Sequence, residues 1–325
     1  MKIFRSYLFL FALAVAMTVS VYLSLATPVA GNFGDVVTFK MNGTANSTPA
    51  LLRLDRSAFD TLGSLHIIAS DRYGTRQLVR LVSQTQISDA GVKPGHSFVA
   101  LVEYIPAEKM FVLGPIERVD PIMTFDFIPG LGELGRNMLF HVPMSMTAFL
   151  AFLVGTIYSI MYLIRKRPSD DRSARAASAA GLLFTLLATI TGSIWARFSW
   201  GTFWNWDPRE VSIFILLLIY VAYFILRSLL EESEEKKARI AAVYNIVAFV
   251  SVPFLMFVVP RIKQSLHPGG GGSEAPIINT SSTPVHTDPA LLNLHWIMVI
   301  LFVLLFVWMK DLYTRILTLE ERTEN

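Results

Sequence analysis

Six apolar stretches, near residues 6–27, 142–164, 176–195, 210–228, 240–260 and 291–311, set the terms for everything this chain can fold into. Each is about 20 residues long, the length at which a helix crosses a hydrocarbon core. A spanning segment must satisfy its own backbone hydrogen bonds, so runs of this kind are expected as helices. Composition points the same way: 53% of residues are hydrophobic, 16% are charged and the mean hydropathy is +0.49, against about a quarter charged in soluble domains. The fold class read from this is an all-α polytopic membrane protein with six transmembrane helices. Six crossings return both termini to one side. Lys2 and Arg5, then Arg165, Lys166, Arg167, Arg172 and Arg175, then Arg227, Lys236, Lys237 and Arg239 all fall on that side. Basic loops are cytoplasmic, so the expected setting is the cytoplasmic (inner) membrane with both termini cytoplasmic.

The first run, 1–27, has a basic start and the small residues of SLATPVAG, as a cleaved signal does. Its length favours a retained transmembrane anchor. Residues 28–135 are different: both signs of charge, turn residues, and short alternating runs at Asp35–Lys40, Ser64–Ile68, Gln77–Val82 and Phe98–Glu103. Such runs read as strands, and a small β-sandwich or barrel is expected, inserted between helices 1 and 2 as an external (periplasmic) domain. Residues 136–325 carry the other five helices.

Several function classes drop out on composition. The chain has no cysteine, which removes disulfides, thiolate catalysis and iron–sulfur ligation. A net charge of +3, with basic residues confined to short loops, gives no nucleic-acid surface.

Between Trp195 and Glu210 the sequence runs WARFSWGTFWNWDPRE, with Trp195, Trp200, Trp204 and Trp206 accounting for four of the six tryptophans. An interfacial belt needs one or two rings per helix end; this density suits a large, flat aromatic ligand. Asp207-Pro-Arg-Glu210 before an apolar run reads as an N-cap, a first-position proline and a capping-box glutamate. Arg197 and Arg209 flank the loop and are candidates for bidentate pairing with the carboxylates of such a ligand, the propionates in the case of haem, or else with Glu210, Asp207 and lipid phosphate. His141 opens the second span and His267 follows the fifth, so the topology puts both on the external face beside the tryptophans. Two neutral imidazoles across a flat ring are what a six-coordinate haem iron accepts. His295, at the outer start of the last span, and His286, in the loop before it, could replace either one or simply cap an interface. His66 and His96 belong to the β-rich segment. No histidine lies at the middle of a span, against a haem buried at depth.

These residues resemble the CcmC family of cytochrome c maturation over roughly 136–312. Gly181–Trp195 followed by Trp200-Gly-Thr-Phe-Trp-Asn-Trp-Asp207 is similar to the family's tryptophan-rich WWD signature. Arg136–Pro143 and Ser265–Pro268 look like its two external histidine motifs. The resemblance implies haem b as cofactor, His141 and His267 as axial ligands of its iron, and Trp200, Trp204, Trp206 and Asp207 as the haem-facing loop within 195–210. It implies haem bound at the outer face and passed to a periplasmic chaperone of the CcmE type, with an ABC transporter, small membrane subunits and the lipid bilayer as partners. On this reading the chain delivers haem and makes no bond itself. The alternative is a CcsA- or CcmF-like cytochrome c synthetase subunit; Pro208 and Glu210 are features shared with those relatives, and Phe203 stands where many members carry another tryptophan. The long insert at 28–135 departs from the family's short first loop. It lacks a His-x-x-x-Tyr sequence of the CcmE type, so a docking surface or lid is expected of it.

Overall fold

A computed structural model describes residues 7–61, 64–83, 85–127, 132–230, 233–263, 265–266 and 289–324. The chain divides into two compact units, one built from residues 1–21, 136–284 and 294–325, the other from 22–135 and 285–293.

In chain order the elements begin with α1 (Tyr7–Ala26), β1 (Val29–Ala30), α2 (Phe33–Met41), β2 (Ser47–Thr61) and β3 (Ser64–Asp71), followed by β4 (Arg76–Leu81), α3 (Gln86–Asp89), β5 (Ser97–Ile105), β6 (Met110–Val119) and β7 (Phe125–Asp126). A 3-10 turn at Gly132–Leu139 leads into α4 (His141–Arg165), α5 (Pro168–Trp200), α6 (Pro208–Leu229), α7 (Glu234–Pro253), a π-helical segment at Phe254–Val258, α8 (Val259–Ile262) and α9 (Pro289–Glu324). Among the described residues, six helical segments are long and apolar enough to cross a membrane, as the hydropathy of the sequence requires.

The smaller unit is a closed five-stranded barrel in the order β2-β3-β4-β6-β5, with β2 closing on β5. All its pairings are antiparallel except β4 with β6. That arrangement is the Greek-key barrel of the OB type, a fold that hosts many functions and fixes none of them. Alternation sends Leu52, Leu54, Ile67, Ala69, Val79, Phe98, Ala100, Val102 and Leu113 into a fully buried interior. Ser64–Ile68, Gln77–Val82 and Phe98–Glu103 fall on β3, β4 and β5, Val82 lying just past the end of β4. Asp35–Lys40 is not a strand; it lies in α2. The deciding signal is local: Asn32 accepts from the Asp35 N–H at 3.1 Å while the Asp35 carboxylate accepts from the Asn32 N–H at 2.9 Å, a reciprocal cap that starts a helix despite the β-branched run.

The helical unit packs on small residues. Gly181 lets the Phe152 ring approach so closely that a Cβ there would lie 2.6 Å from it, and Gly155 does the same for Ser178, at 2.7 Å. Phe152 in turn stacks on Tyr220 of α6 at 3.6 Å between centroids. Asn245 of α7 donates to Ser159 of α4 at 2.9 Å and accepts from Ser178 of α5 at 3.3 Å, tying three helices through side-chain hydrogen bonds. Pro253 cannot donate to the helix ladder, and the chain widens into the π segment directly after it. Near the far end of α6, the Arg227 guanidinium grips both oxygens of Asp171 at 2.7 Å, with the two side chains 8% and 12% exposed.

Candidate functional site

The start of α4, the end of α5 and the start of α6 are brought together by antiparallel packing, and the residues between Trp195 and Glu210 lie there. His141 is the first residue of α4, and its Nδ1 sits 2.9 Å from the Ala188 carbonyl oxygen and 3.3 Å from Thr191 Oγ1. A carbonyl only accepts, so Nδ1 carries the proton and the lone pair is on Nε2. That is the tautomer a metal-binding histidine needs, held by the same outer hydrogen bond that orients such ligands elsewhere. Gly192 makes the approach possible, since a Cβ there would meet the imidazole at 3.0 Å. Neither Ala188, Thr191 nor Gly192 stands out in the sequence; the one available signal is the polar interruption Thr191-Gly192-Ser193 inside an apolar helix.

Helix α5 runs further than the apolar pattern suggested, to Trp200, and ends at Gly201 with φ +83° in the left-handed cap that glycine favours. Trp195, Arg197 and Trp200 are therefore on the helix, with the loop beginning after them. Trp195 is buried and meets Trp200 edge-on at 5.1 Å. The Arg197 guanidinium folds back, donates to the Gly201 carbonyl and lies 5.9 Å from the Phe203 ring.

In the loop itself, Trp204 contacts Trp206 and Phe214 edge-on, at 5.9 and 6.2 Å. These three rings line an open apolar pocket of about 270 Å³. Sites for drug-sized ligands run from about 300 to 1,000 Å³, so the pocket takes the edge of a flat ring and other elements must supply the rest. Trp206 has φ +62°, the left-handed region, and its side chain is 70% exposed. For a bulky L-residue this conformation costs about 1–2 kcal/mol, and Glu210 holds it: one carboxylate oxygen accepts from Asn205 N at 2.9 Å and Asp207 N at 3.2 Å, on either side of the indole.

Asp207 is the N-cap of α6, accepting from Arg209 N at 2.9 Å, with Pro208 at the first helical position and Glu210 completing the capping box. The sequence signalled that cap but not a second role for the same side chain. Asp207 also accepts from Ser265 Oγ and from Leu266 N, each at 2.8 Å, and is only 5% exposed. This one carboxylate joins the start of α6 to the segment after α8. His267 and His286 lie outside the described residues, but Leu266 is the residue directly before His267.

Comparison with known proteins places the sequence in a family. Residues 127–325 match the model of the CcmC family, heme exporter protein C. Heme exporter protein C of Paracoccus denitrificans is 34% identical over 145 residues, 45% of this chain and 60% of the relative. That of Bradyrhizobium diazoefficiens is 36% identical over 128 residues, 39% of this chain and 48% of the relative. That of Escherichia coli K12 is 26% identical over 160 residues, 45% of this chain and 65% of the relative. The matched stretch thus covers less than two-thirds of each of these relatives. With a family match over more than half of its length and six membrane-length helices, the chain is a multi-pass membrane protein that belongs to the CcmC family.

Proposed function

We propose that this end of the helical unit binds haem b at the outer face of the cytoplasmic membrane and hands it to a periplasmic chaperone of the CcmE type during c-type cytochrome maturation. His141 and His267 are the axial ligands, Trp200, Trp204 and Trp206 offer aromatic faces to the ring, and Arg197 and Arg209 serve the propionates. Haem is cargo here; bound, it contributes an iron with two open axial positions, and the protein governs how tightly they are held. His141 offers Nε2 because the Ala188 carbonyl fixes its tautomer. Trp195, buried in α5, supports Trp200 rather than facing the ligand. Asp207 holds the loop and fixes the chain leading to His267.

The observation that carries this reading is the pair of hydrogen bonds from Ser265 and Leu266 to Asp207, which links the tryptophan loop to the second histidine's segment. Both arms of the site then depend on the structure around α6, and release requires loosening only one of them. An ABC transporter and small membrane subunits are the partners the reading calls for, with the basic loops and both termini on the cytoplasmic side.

The test is a transfer assay with haem-loaded protein in lipid nanodiscs. Given a CcmE-type chaperone, the chain should lose its haem to it. Given an apocytochrome with a Cys-x-x-Cys-His motif alone, it should form no thioether bond. Thioether formation without a chaperone would replace haem delivery with cytochrome synthesis.

A further inference from the structure

A further histidine of the helical unit, the buried His295, lies in the second turn of α9. It is 3% exposed, and its Nδ1 lies 3.1 Å from the Met138 carbonyl oxygen. The carbonyl accepts, so Nδ1 donates and the lone pair is on Nε2. No partner reaches that buried Nε2 among the described residues. An unmet buried acceptor costs at least as much as the one hydrogen bond returns, so the histidine is a poor choice for stability alone. An apolar side chain would remove the orphaned nitrogen but leave the Met138 carbonyl without this donor, so the bond to that carbonyl is what the histidine contributes.

What the hydrogen bond holds is specific. Met138 belongs to the 3-10 turn that ends at Leu139, and α4 follows directly, its N-cap residue Phe140 making no side-chain capping bond. Leu139 is fully buried and anchors the turn on one side. The His295 contact is made by a different helix, α9, and fixes the backbone from which His141 projects. His141 is then held twice: through its backbone by α9 and through its Nδ1 by Ala188 of α5.

We infer that His295 is a positioning residue for His141: by donating Nδ1–H to the Met138 carbonyl it aims the His141 Nε2 at the haem iron. This rests on the proposed haem site. The residue does not ligate iron, and the part that matters is the donor at the Nδ1 position.

The experiment uses the full chain in detergent, reconstituted with haemin, and compares wild type with His295→Leu, His295→Asn and His295→Gln. It reads retention of haem against a scavenging acceptor, together with the low-spin ferric electron paramagnetic resonance signal. The asparagine amide N–H falls near the place of Nδ1–H, and the glutamine amide near that of Nε2. Loss of one aligned hydrogen bond in His295→Leu should weaken retention about fivefold and broaden the low-spin signal. His295→Asn should restore both, and His295→Gln should not. The inference is overturned if His295→Leu behaves as wild type, if glutamine restores the signal and asparagine does not, or if all three variants lose it alike. Should His295→Leu fail to fold, the contrast between asparagine and glutamine decides. A wild-type chain with no Soret band would refute the haem site itself and the inference with it, whereas a normal wild-type band indifferent to residue 295 refutes the positioning role alone.

Discussion

The barrel and the helical unit make their interiors in different ways. The barrel buries large aliphatic and aromatic side chains, Leu52, Leu54, Ile67, Val79, Phe98 and Leu113, and sets arginines along its outside. The helical unit seats buried rings such as Phe152, Phe184 and Tyr220 against Ala148, Ala151, Ala177, Ala180, Gly155 and Gly181, and turns Ile157, Ile160, Ile164, Leu183 and Leu186 outward. Water drives large apolar groups inward. In lipid that force is missing, and helices associate by close approach and side-chain hydrogen bonds. One chain therefore carries two packing rules, and a substitution should cost according to the rule of the unit it falls in.

The largest expected effect tests the bundle. Arg227 and Asp171 form a bidentate pair with both side chains nearly inaccessible. Arg227→Ala leaves a buried carboxylate without its partner and should cost about 3–5 kcal/mol, read as a fall in thermal midpoint in detergent. The double change Arg227→Met with Asp171→Leu should recover most of it; equal losses in the single and double variants would mean that the pair is packing and not charge. Next comes Leu54→Ala in the barrel, which removes a side chain fully enclosed by the strands. It should cost about 2–5 kcal/mol, visible in urea unfolding followed by near-ultraviolet circular dichroism. The smallest effect is on a surface ion pair of the barrel. Arg80 meets Glu108 at 2.6 Å, but the two side chains are 29% and 48% exposed, so Arg80→Ala should cost about 0–1 kcal/mol. An Arg80 loss as large as the Arg227 loss would end the distinction between the two units.

The same contrast explains what was legible in the sequence. Hydropathy over about 20 residues is a strong signal, and the spans it marks coincide with the long helices. Alternation found β3, β4 and β5 but missed β2, whose bulges near Arg56 break the period of two, and β6, which Gly114-Pro115 interrupts; it misread Asp35–Lys40, where a capping box outweighs strand propensity. In the site, Asp207 was readable as a cap because capping is local. Its contacts with Ser265 and Leu266 span 58 and 59 residues, and the seat of His141 against Ala188 spans 47. No periodicity encodes such distances; only the packing of one helix against another shows them.

Haem ligation by this chain is tested most directly by the absorption spectrum of the purified protein reconstituted with haemin, wild type against His141→Ala and Asp207→Ser. Serine keeps a side-chain oxygen for the α6 cap but has one oxygen where Asp207 uses two to hold Ser265 and Leu266. The wild-type protein should show a Soret band with low-spin character, His141→Ala should lose it, and Asp207→Ser should shift toward a five-coordinate spectrum at unchanged folding. A Soret band that is the same in all three proteins would contradict bis-histidine ligation held in place by Asp207.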